Sequence, residues 1–131
     1  MTTELTDDGL RFVEDRHLAM LSTMARDGAI HQIAVGFTLH DGVVRIITSG
    51  DTQKVRNIER DGRATVGQVD GARWISFVGN AVIERGPADV ALAENLYAQR
   101  YRQPQPNPKR VVIRIDVDRV LASRGLRADR G

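Results

Sequence analysis

Residues 48 to 54 bring hydroxyl groups, a glycine and a cation together where an apolar strand sequence meets a helical one. Thr48 and Ser49 supply hydroxyl donors, the backbone N–H groups around Gly50 are further donors, and Lys54 falls in the first turn of the helix. A helix N-terminus carries unpaired N–H groups and partial positive charge, so a cation there is unfavourable unless an anion is bound. We therefore predict a phosphate or carboxylate site at this turn. The alternative is an ordinary exposed helix start capped by Asp51 or Thr52.

The use of lysine supports the same interpretation. Of the 19 basic residues only Lys54 and Lys109 are lysine. A chain that uses arginine almost everywhere keeps lysine at this turn, where a compact point charge suits an anion better than a planar fork.

The elements that must position this turn are mainly strands. Alternating or apolar runs predict strands at 18–25, 29–40, 43–49, 64–69 and 72–84, and a last long strand from Val111. Asp-Gly pairs at 27–28, 41–42 and 70–71 are typical of hairpin turns. Helices are predicted near 7–16, 52–60 and 87–101, and three prolines make 103–108 a stiff connector.

This order predicts a mainly β (α+β) fold in which about six antiparallel strands, with two to three short helices, form a small closed or half-closed barrel. We expect residues 1–131 to form one domain, with residues 1–5 and 124–131 as flexible tails. A chain of 131 residues is small for a fully enclosed site. A site shared between two subunits would solve that problem.

Composition narrows the function classes. The chain has no cysteine, a formal charge of +2 and 5% aromatic residues, with arginines interleaved with acids, so nucleic-acid binding is not expected. No run approaches membrane-spanning length and no signal peptide is recognisable, which makes the cytoplasm the default location. His17, His31 and His40 do not have metal-ligand spacing, so no metal is assigned. His31 could contact a substrate, although an exposed strand histidine is the simpler interpretation.

Four segments carry a family resemblance: RHLAMLST, VGFT, QVDGARW and RYRQPQPNPKRVVI. Together with their order over roughly residues 7–122, they resemble the split β-barrel flavin and deazaflavin oxidoreductases, the superfamily of pyridoxamine 5′-phosphate oxidase. Within it, the chain is most similar to the actinobacterial branch that depends on coenzyme F420, of the biliverdin reductase type. The resemblance implies a split β-barrel, a homodimer with composite sites, and hydride transfer from reduced F420 to a conjugated acceptor such as biliverdin.

The resemblance also implies which residues meet the cofactor. The acidic tail would lie at the strand-to-helix turn, with its phosphate on Lys54, and the deazaflavin ring would lie along the backbone of residues 32–37. An aromatic residue near the neighbouring subunit's cofactor corresponds to Trp74, whose alternative role is core packing. The implied cofactor-binding set is Ile33, Ala34, Val35, Gly36, Phe37, Ile47, Thr48, Ser49, Gly50, Asp51, Gln53, Lys54, Gln68, Arg73 and Trp74.

No catalytic side chain is assigned, because the cofactor carries the chemistry. The two propionates of a tetrapyrrole would need cationic partners, and the sequence does not rank Arg45, Arg56, Arg73, Arg100, Arg102 and Lys109 for that role. Two alternatives stay open on the same fold: an FMN-dependent oxidase or reductase, and a non-catalytic F420 carrier or sensor.

Overall fold

The computed structural model describes residues 5–128. Its helices are α1 (Asp7–Glu14), α2 (Gln53–Arg60) and α3 (Pro87–Arg100). Its strands are β1 (Ala19–Met24), β2 (Ile30–Val35), β3 (Thr38–His40), β4 (Val43–Ser49), β5 (Arg63–Asp70), β6 (Arg73–Glu84) and β7 (Arg110–Ala122). The predicted fold class, mainly β with a few short helices, is confirmed.

All seven strands belong to one antiparallel sheet in the order β2-β1-β5-β6-β7-β4-β3. The two edge strands, β2 and β3, are consecutive in sequence, so the chain passes from one edge of the sheet directly to the other. The single strand predicted for 29–40 is therefore wrong, because it breaks at Gly36 and Phe37. The Phe37 side chain is fully buried, and its backbone N–H bonds a tyrosine hydroxyl instead of a strand neighbour.

The core lies on the inward face of this sheet. Along β1, β5 and most of β6 alternate residues are buried in it, as the two-residue period of a half-buried strand requires. Phe37 and Phe77 meet edge to face at 5.8 Å in its centre. Around them pack apolar residues from the strands and from α1 and α2, among them Leu21, Val35, Val44, Ile46, Val66, Ile75, Ile113, Ile115, Phe12 and Ile58.

Two of the Asp-Gly pairs illustrate how the hairpins close. At Asp41-Gly42 both residues have positive φ (53° and 74°), as a two-residue hairpin of this kind demands. At the β5–β6 hairpin Asp70 pairs with Arg73, so the loop is Gly71-Ala72, one residue later than predicted. Gly71 supplies the positive φ of 63° there.

The chain ends pack more tightly than expected. The Thr6 hydroxyl caps α1 by accepting from the Gly9 N–H (3.0 Å) and donates to the Gly125 carbonyl (2.6 Å). Leu5 and Leu126 are buried in the core cluster. Leu5 and Leu126 are thus packed against the rest of the domain, and the flexibility of the tails stays a prediction. Residues 1–4 and 129–131 lie outside the described part of the chain.

Candidate active site

A cleft of about 340 Å³ opens between the ends of β2 and β4, the side of α3 and the proline-rich segment that precedes β7. Eight residues of the predicted sets line it: Ala34, Val35, Gly36, Ile47, Thr48, Ser49, Lys54 and Arg102. Five further lining residues were not in those sets: Tyr97, Pro104, Gln105, Asn107 and Arg110.

Strand pairing positions the turn at one end of the cleft. Ser49 lies opposite Arg110 in the β4–β7 ladder, and the Gly50 N–H donates to the Lys109 carbonyl at 2.8 Å. The Gly50 N–H is therefore not available to an anion, in contrast to the prediction. The Thr52 hydroxyl donates back to the Ser49 carbonyl (3.1 Å), so it does not cap α2, although Thr52 occupies the N-cap position. The first turn of α2 therefore lacks both a side-chain cap and an acidic residue.

Lys54 is a charged group at this end of the cleft. It is partly buried, and burial lowers the pKa of its ammonium group below the usual lysine value of 10.5. Within residues 5–128 no carboxylate lies within ion-pair distance of it, and no acceptor bonds its Nζ. A partly desolvated cation without a counter-ion favours the binding of an anion. Lys54 thus differs from a fully exposed residue at an ordinary helix start, and the anion site stays a prediction.

The proline-rich segment is fastened to the same end. The Asn107 amide donates to Ser49 Oγ (2.7 Å), and Asn107 Oδ1 accepts from the Lys109 N–H (2.9 Å). Because Ser49 Oγ accepts that bond, its own proton stays available for a ligand in the cleft. Arg110 is fixed by Glu94 Oε2 (2.6 Å) and by the Gln105 carbonyl (2.7 Å). The segment is thus both an ordered connector and a wall of the cleft.

The other end of the cleft is lined by small and apolar residues and by one aromatic ring. It is formed by Ala34 and Val35 at the end of β2, by Gly36 directly after that strand, and by Tyr97 on α3. Since β2 is an edge strand that pairs only with β1, one row of its backbone N–H and C=O groups has no strand partner. Small side chains and free backbone groups suit a flat, polar-edged ring.

Several predicted cofactor residues have side chains elsewhere. Phe37 lies in the core, and Gln68 is buried, donating to the Phe12 carbonyl at 2.8 Å. Arg73 covers the ring of Phe12, with its guanidinium carbon 4.9 Å from the centroid. Trp74 is 40% exposed on the outer face of the sheet, so core packing is not its role. None of these four side chains lines the cleft.

The remaining members of the cofactor set do not line the cleft, and Gln53 lines a separate depression. Asp51 pairs with Lys109 (3.3 Å), and this ion pair lowers the pKa of the Asp51 carboxyl. The Gln53 amide donates to Asn57 Oδ1 at 2.8 Å on the far side of the same turn. Gly50 lies in the turn, packed against β7, and Ile33 is partly exposed on β2.

The predicted substrate-binding arginines also lie partly inside and partly outside the cleft. Arg102 lines the cleft. Arg56 points to a separate depression and donates to the Asp51 carbonyl (2.8 Å). Arg100 uses its guanidinium inside the protein, where Nη2 donates to Gln68 Oε1 (2.6 Å). Arg45 has a buried Nη1 atom without a partner but does not line the cleft.

Of the lining residues outside the predicted sets, Tyr97 had a recognisable signal. It lies one helical turn before Tyr101, and the two rings are 4.8 Å apart. That spacing predicts packing along one face of the helix. In the structure the two rings pack against Gly36, where an added Cβ would come within 3.1 to 3.2 Å of both. Asn107 had no signal beyond its place in the proline-rich segment.

Two whole-molecule features accompany this site. Within residues 5–128, no cluster of three or more His, Asp or Glu side chains is arranged to hold a metal ion. In the same range, no helix has the length and apolar character needed to cross a membrane.

The fold and this cleft are those of a known class of proteins. Residues 5–124 match the pyridoxamine 5′-phosphate oxidase family, and the chain belongs to that family. The chain is 50% identical over 127 residues to the F420H(2)-dependent biliverdin reductase of Mycobacterium tuberculosis, covering 95% of this chain and 93% of that protein. The superfamily resemblance recognised in the sequence, and its biliverdin reductase type, are confirmed.

Solved structures show the same fold. The conserved hypothetical protein Rv2991 of Mycobacterium tuberculosis has a TM-score of 0.79 and 25% identity, covering 93% of this chain and 89% of that one. A protein described as an F420 reductase has a TM-score of 0.71 and 22% identity, covering 85% of this chain and 94% of its own. At that identity the second likeness concerns the fold alone.

Proposed function

We propose that this protein is an F420-dependent reductase, which transfers a hydride from the reduced deazaflavin to biliverdin or a related conjugated tetrapyrrole. The observation that carries the proposal is Lys54, a partly buried cation without a counter-ion at the end of a cleft whose other end suits a flat ring. The choice of F420 over FMN is supported by the 50% identical relative, which is F420H(2)-dependent.

The cleft residues fit the two parts of such a cofactor. Lys54, Thr48 and Ser49 would hold the phosphate of the tail through charge-assisted and hydroxyl hydrogen bonds. The Ala34–Gly36 backbone and the Tyr97 ring would flank the tricycle. When bound, the deazaflavin supplies the hydride. The protein holds the deazaflavin in place and excludes water from one side of its ring.

Arg102 is the best-placed partner for a substrate carboxylate. It lines the cleft and makes no ion pair within residues 5–128, whereas Arg110 is held by Glu94 and Lys109 by Asp51. We therefore propose that a substrate propionate pairs with Arg102. We expect Arg102→Ala to raise KM for biliverdin while the Kd for F420 stays unchanged.

We also propose a homodimer in which each cleft is completed by the second copy. Ala34, Met20, Gly67, Ser76 and Leu121 form one continuous row across the outer face of five strands. Met20 and Leu121 are 41% and 40% exposed, and Trp74 and Val69 extend the apolar area beside them. Ala34 belongs both to this row and to the cleft, so a second copy on the row would reach the cleft mouth.

Sedimentation tests the dimer. The wild type should sediment as a dimer at micromolar concentration, and Met20→Glu, which puts a charge into the middle of the row, should yield monomers with weaker F420 binding. A monomeric wild type would contradict the shared site. Val82→Glu, on the outer face but away from the row, is the matched control.

The central test is a titration with oxidised F420 and, separately, FMN, followed by turnover of biliverdin with reduced F420. Tight F420 binding with turnover supports the proposal. Preference for FMN would move the function to flavin chemistry on the same fold, and F420 binding without turnover would favour a carrier or sensor. Cytoplasmic residence and the absence of nucleic-acid binding stay predictions from the sequence.

A further inference from the structure

The C-terminal end of α3 holds an arginine with an unusual set of partners. Arg100 donates from Nε to the Asp15 carbonyl (3.0 Å), from Nη1 to the Phe37 carbonyl (2.5 Å) and from Nη2 to Gln68 Oε1 (2.6 Å). Burial lowers the pKa of this guanidinium. No carboxylate of the described chain lies within ion-pair distance of it.

The next residue acts on the same segment. The Tyr101 hydroxyl accepts from the Phe37 N–H (3.1 Å) and donates to the His17 carbonyl (2.7 Å). Both backbone groups of Phe37 are therefore held by consecutive residues, the N–H by Tyr101 and the carbonyl by Arg100. We call Arg100, Tyr101 and Gln68 the α3 clamp.

A charged side chain in the clamp stabilises the fold less than apolar packing would. Arg100 is partly buried, so its charge loses part of its solvation free energy, and a well-packed apolar residue in place of a buried charge is often neutral or stabilising. The guanidinium carbon also lies 4.6 Å from the Phe37 ring centroid and 5.0 Å from that of Tyr101, positions that an apolar side chain could fill. What an apolar side chain could not do is fix the direction of the Phe37 peptide groups.

That direction matters because Phe37 lies at the break between β2 and β3. Gly36, its neighbour, lines the cleft and packs against the rings of Tyr97 and Tyr101 so closely that even a methyl group would not fit without a shift. With no strand ladder at the break, the clamp sets where the chain turns. It thereby sets the position of the Val35-Gly36 wall of the cleft.

We propose that Arg100 and Tyr101 are positioning residues, which hold the β2–β3 break in the geometry that the cofactor ring requires and leave the anion end of the cleft to Lys54 and Ser49. This inference rests on the proposed function. It assigns Arg100 a role other than substrate binding, and Gln68 a role other than cofactor binding.

The test compares Tyr101→Phe and Arg100→Lys with Gln99→Ala, an exposed neighbour on α3. Tyr101→Phe keeps the ring and removes only the hydroxyl, so it should fold. In both clamp variants we expect the Kd for F420 to rise about tenfold or more, the effect of about 1.4 kcal/mol. The Kd for inorganic phosphate, measured by NMR titration, should stay within about twofold of wild type.

Hydrogen exchange supplies a second readout. The Phe37 amide and its neighbours should exchange faster in Tyr101→Phe than in wild type, while amides in the middle of β6 should not change. A general loss of stability would instead speed exchange throughout the sheet. In Gln99→Ala both the exchange and the affinities should match wild type.

Three results would overturn the inference: an unchanged Kd for F420 in both clamp variants, a parallel loss of phosphate affinity, or unchanged exchange at Phe37. The proposed function fails separately, if wild type itself does not bind F420. If wild type prefers FMN, the ratio of variant Kd to wild-type Kd is measured with FMN in place of F420. If it binds neither, the exchange at Phe37 alone decides whether the clamp holds the break.

Discussion

Replacing Lys54 by alanine is the most direct test of the cleft. A charge-assisted hydrogen bond to an anion contributes about 1.5–3 kcal/mol. Lys54 is only partly buried, so solvent screens part of its charge, and we expect about 2 kcal/mol, a roughly 30-fold rise in the Kd for F420. The fold should stay intact, since Lys54 makes no ion pair within residues 5–128.

The chain provides its own control, because its only other lysine is Lys109. The Lys109 side chain is 69% exposed and pairs with Asp51. An exposed charge contributes about 0–1 kcal/mol to its interaction with an opposite charge. Lys109→Ala should therefore change the Kd for F420 by about fivefold at most. Equal losses in the two variants, or no loss in Lys54→Ala, would refute the assignment of the anion site to Lys54.

The pH dependence of binding is a second signature of Lys54. Burial lowers its pKa in the free protein, and an anion binds only the protonated ammonium group. Affinity should therefore be constant below this lowered pKa and fall as the pH rises through it, at a lower pH than an ordinary lysine would give. In Lys54→Arg the guanidinium stays charged, so this fall should be absent. A titration calorimetry series between neutral pH and pH 10 checks both curves.

Three further outcomes are expected. Asn107→Ala removes the bond to Ser49 Oγ, and should weaken F420 binding severalfold and lower the free energy of unfolding by about 1 kcal/mol in urea titration; unchanged affinity would exclude Asn107 from the site. Gly79→Ala should destabilise by about 2–4 kcal/mol, because its Cβ would lie 2.1 Å from the Asp116 carbonyl oxygen; a Tm like wild type would contradict the strand register. Asp61 has its pKa lowered from 3.8 to about 2 by hydrogen bonds from Arg63, so its stabilisation is present above pH 3.8 and lost as the pH falls toward 2. The Tm difference between wild type and Asp61→Asn should shrink over that range.

The parts of the site that are local in sequence were predictable. The turn from Thr48 to Lys54 could be recognised because an apolar strand, two hydroxyls and a first-turn lysine are consecutive, and their physical roles depend little on the rest of the chain. The strands were predictable for the same reason, since alternation and Asp-Gly pairs are local signals. The order in which the strands pair is not local, and it brings Asn107 to Ser49 across 58 residues.

The break at Gly36-Phe37 shows why other features were missed. Val35 and Phe37 are both buried, so the two-residue alternation continues through the break and hides it. The groups that cause it, on Arg100 and Tyr101, lie 63 and 64 residues further along the chain. Gln68 and Arg100 were assigned to ligands for a related reason: in sequence, a polar residue that serves a buried hydrogen bond looks the same as one that serves a substrate.

The two ends of the cleft are therefore built by different parts of the molecule. The anion end depends on the β4–α2 turn and the proline-rich segment, and the ring end depends on α3 through Phe37. Lys54 and Tyr101 share no hydrogen-bond partner, so their effects on F420 binding should add. In a double-mutant cycle of Lys54→Ala and Tyr101→Phe, we expect the free-energy changes to sum within about 0.5 kcal/mol. A larger coupling energy would mean that the cofactor shifts as one rigid body when either end is lost, and the two ends would then have to be treated as one site.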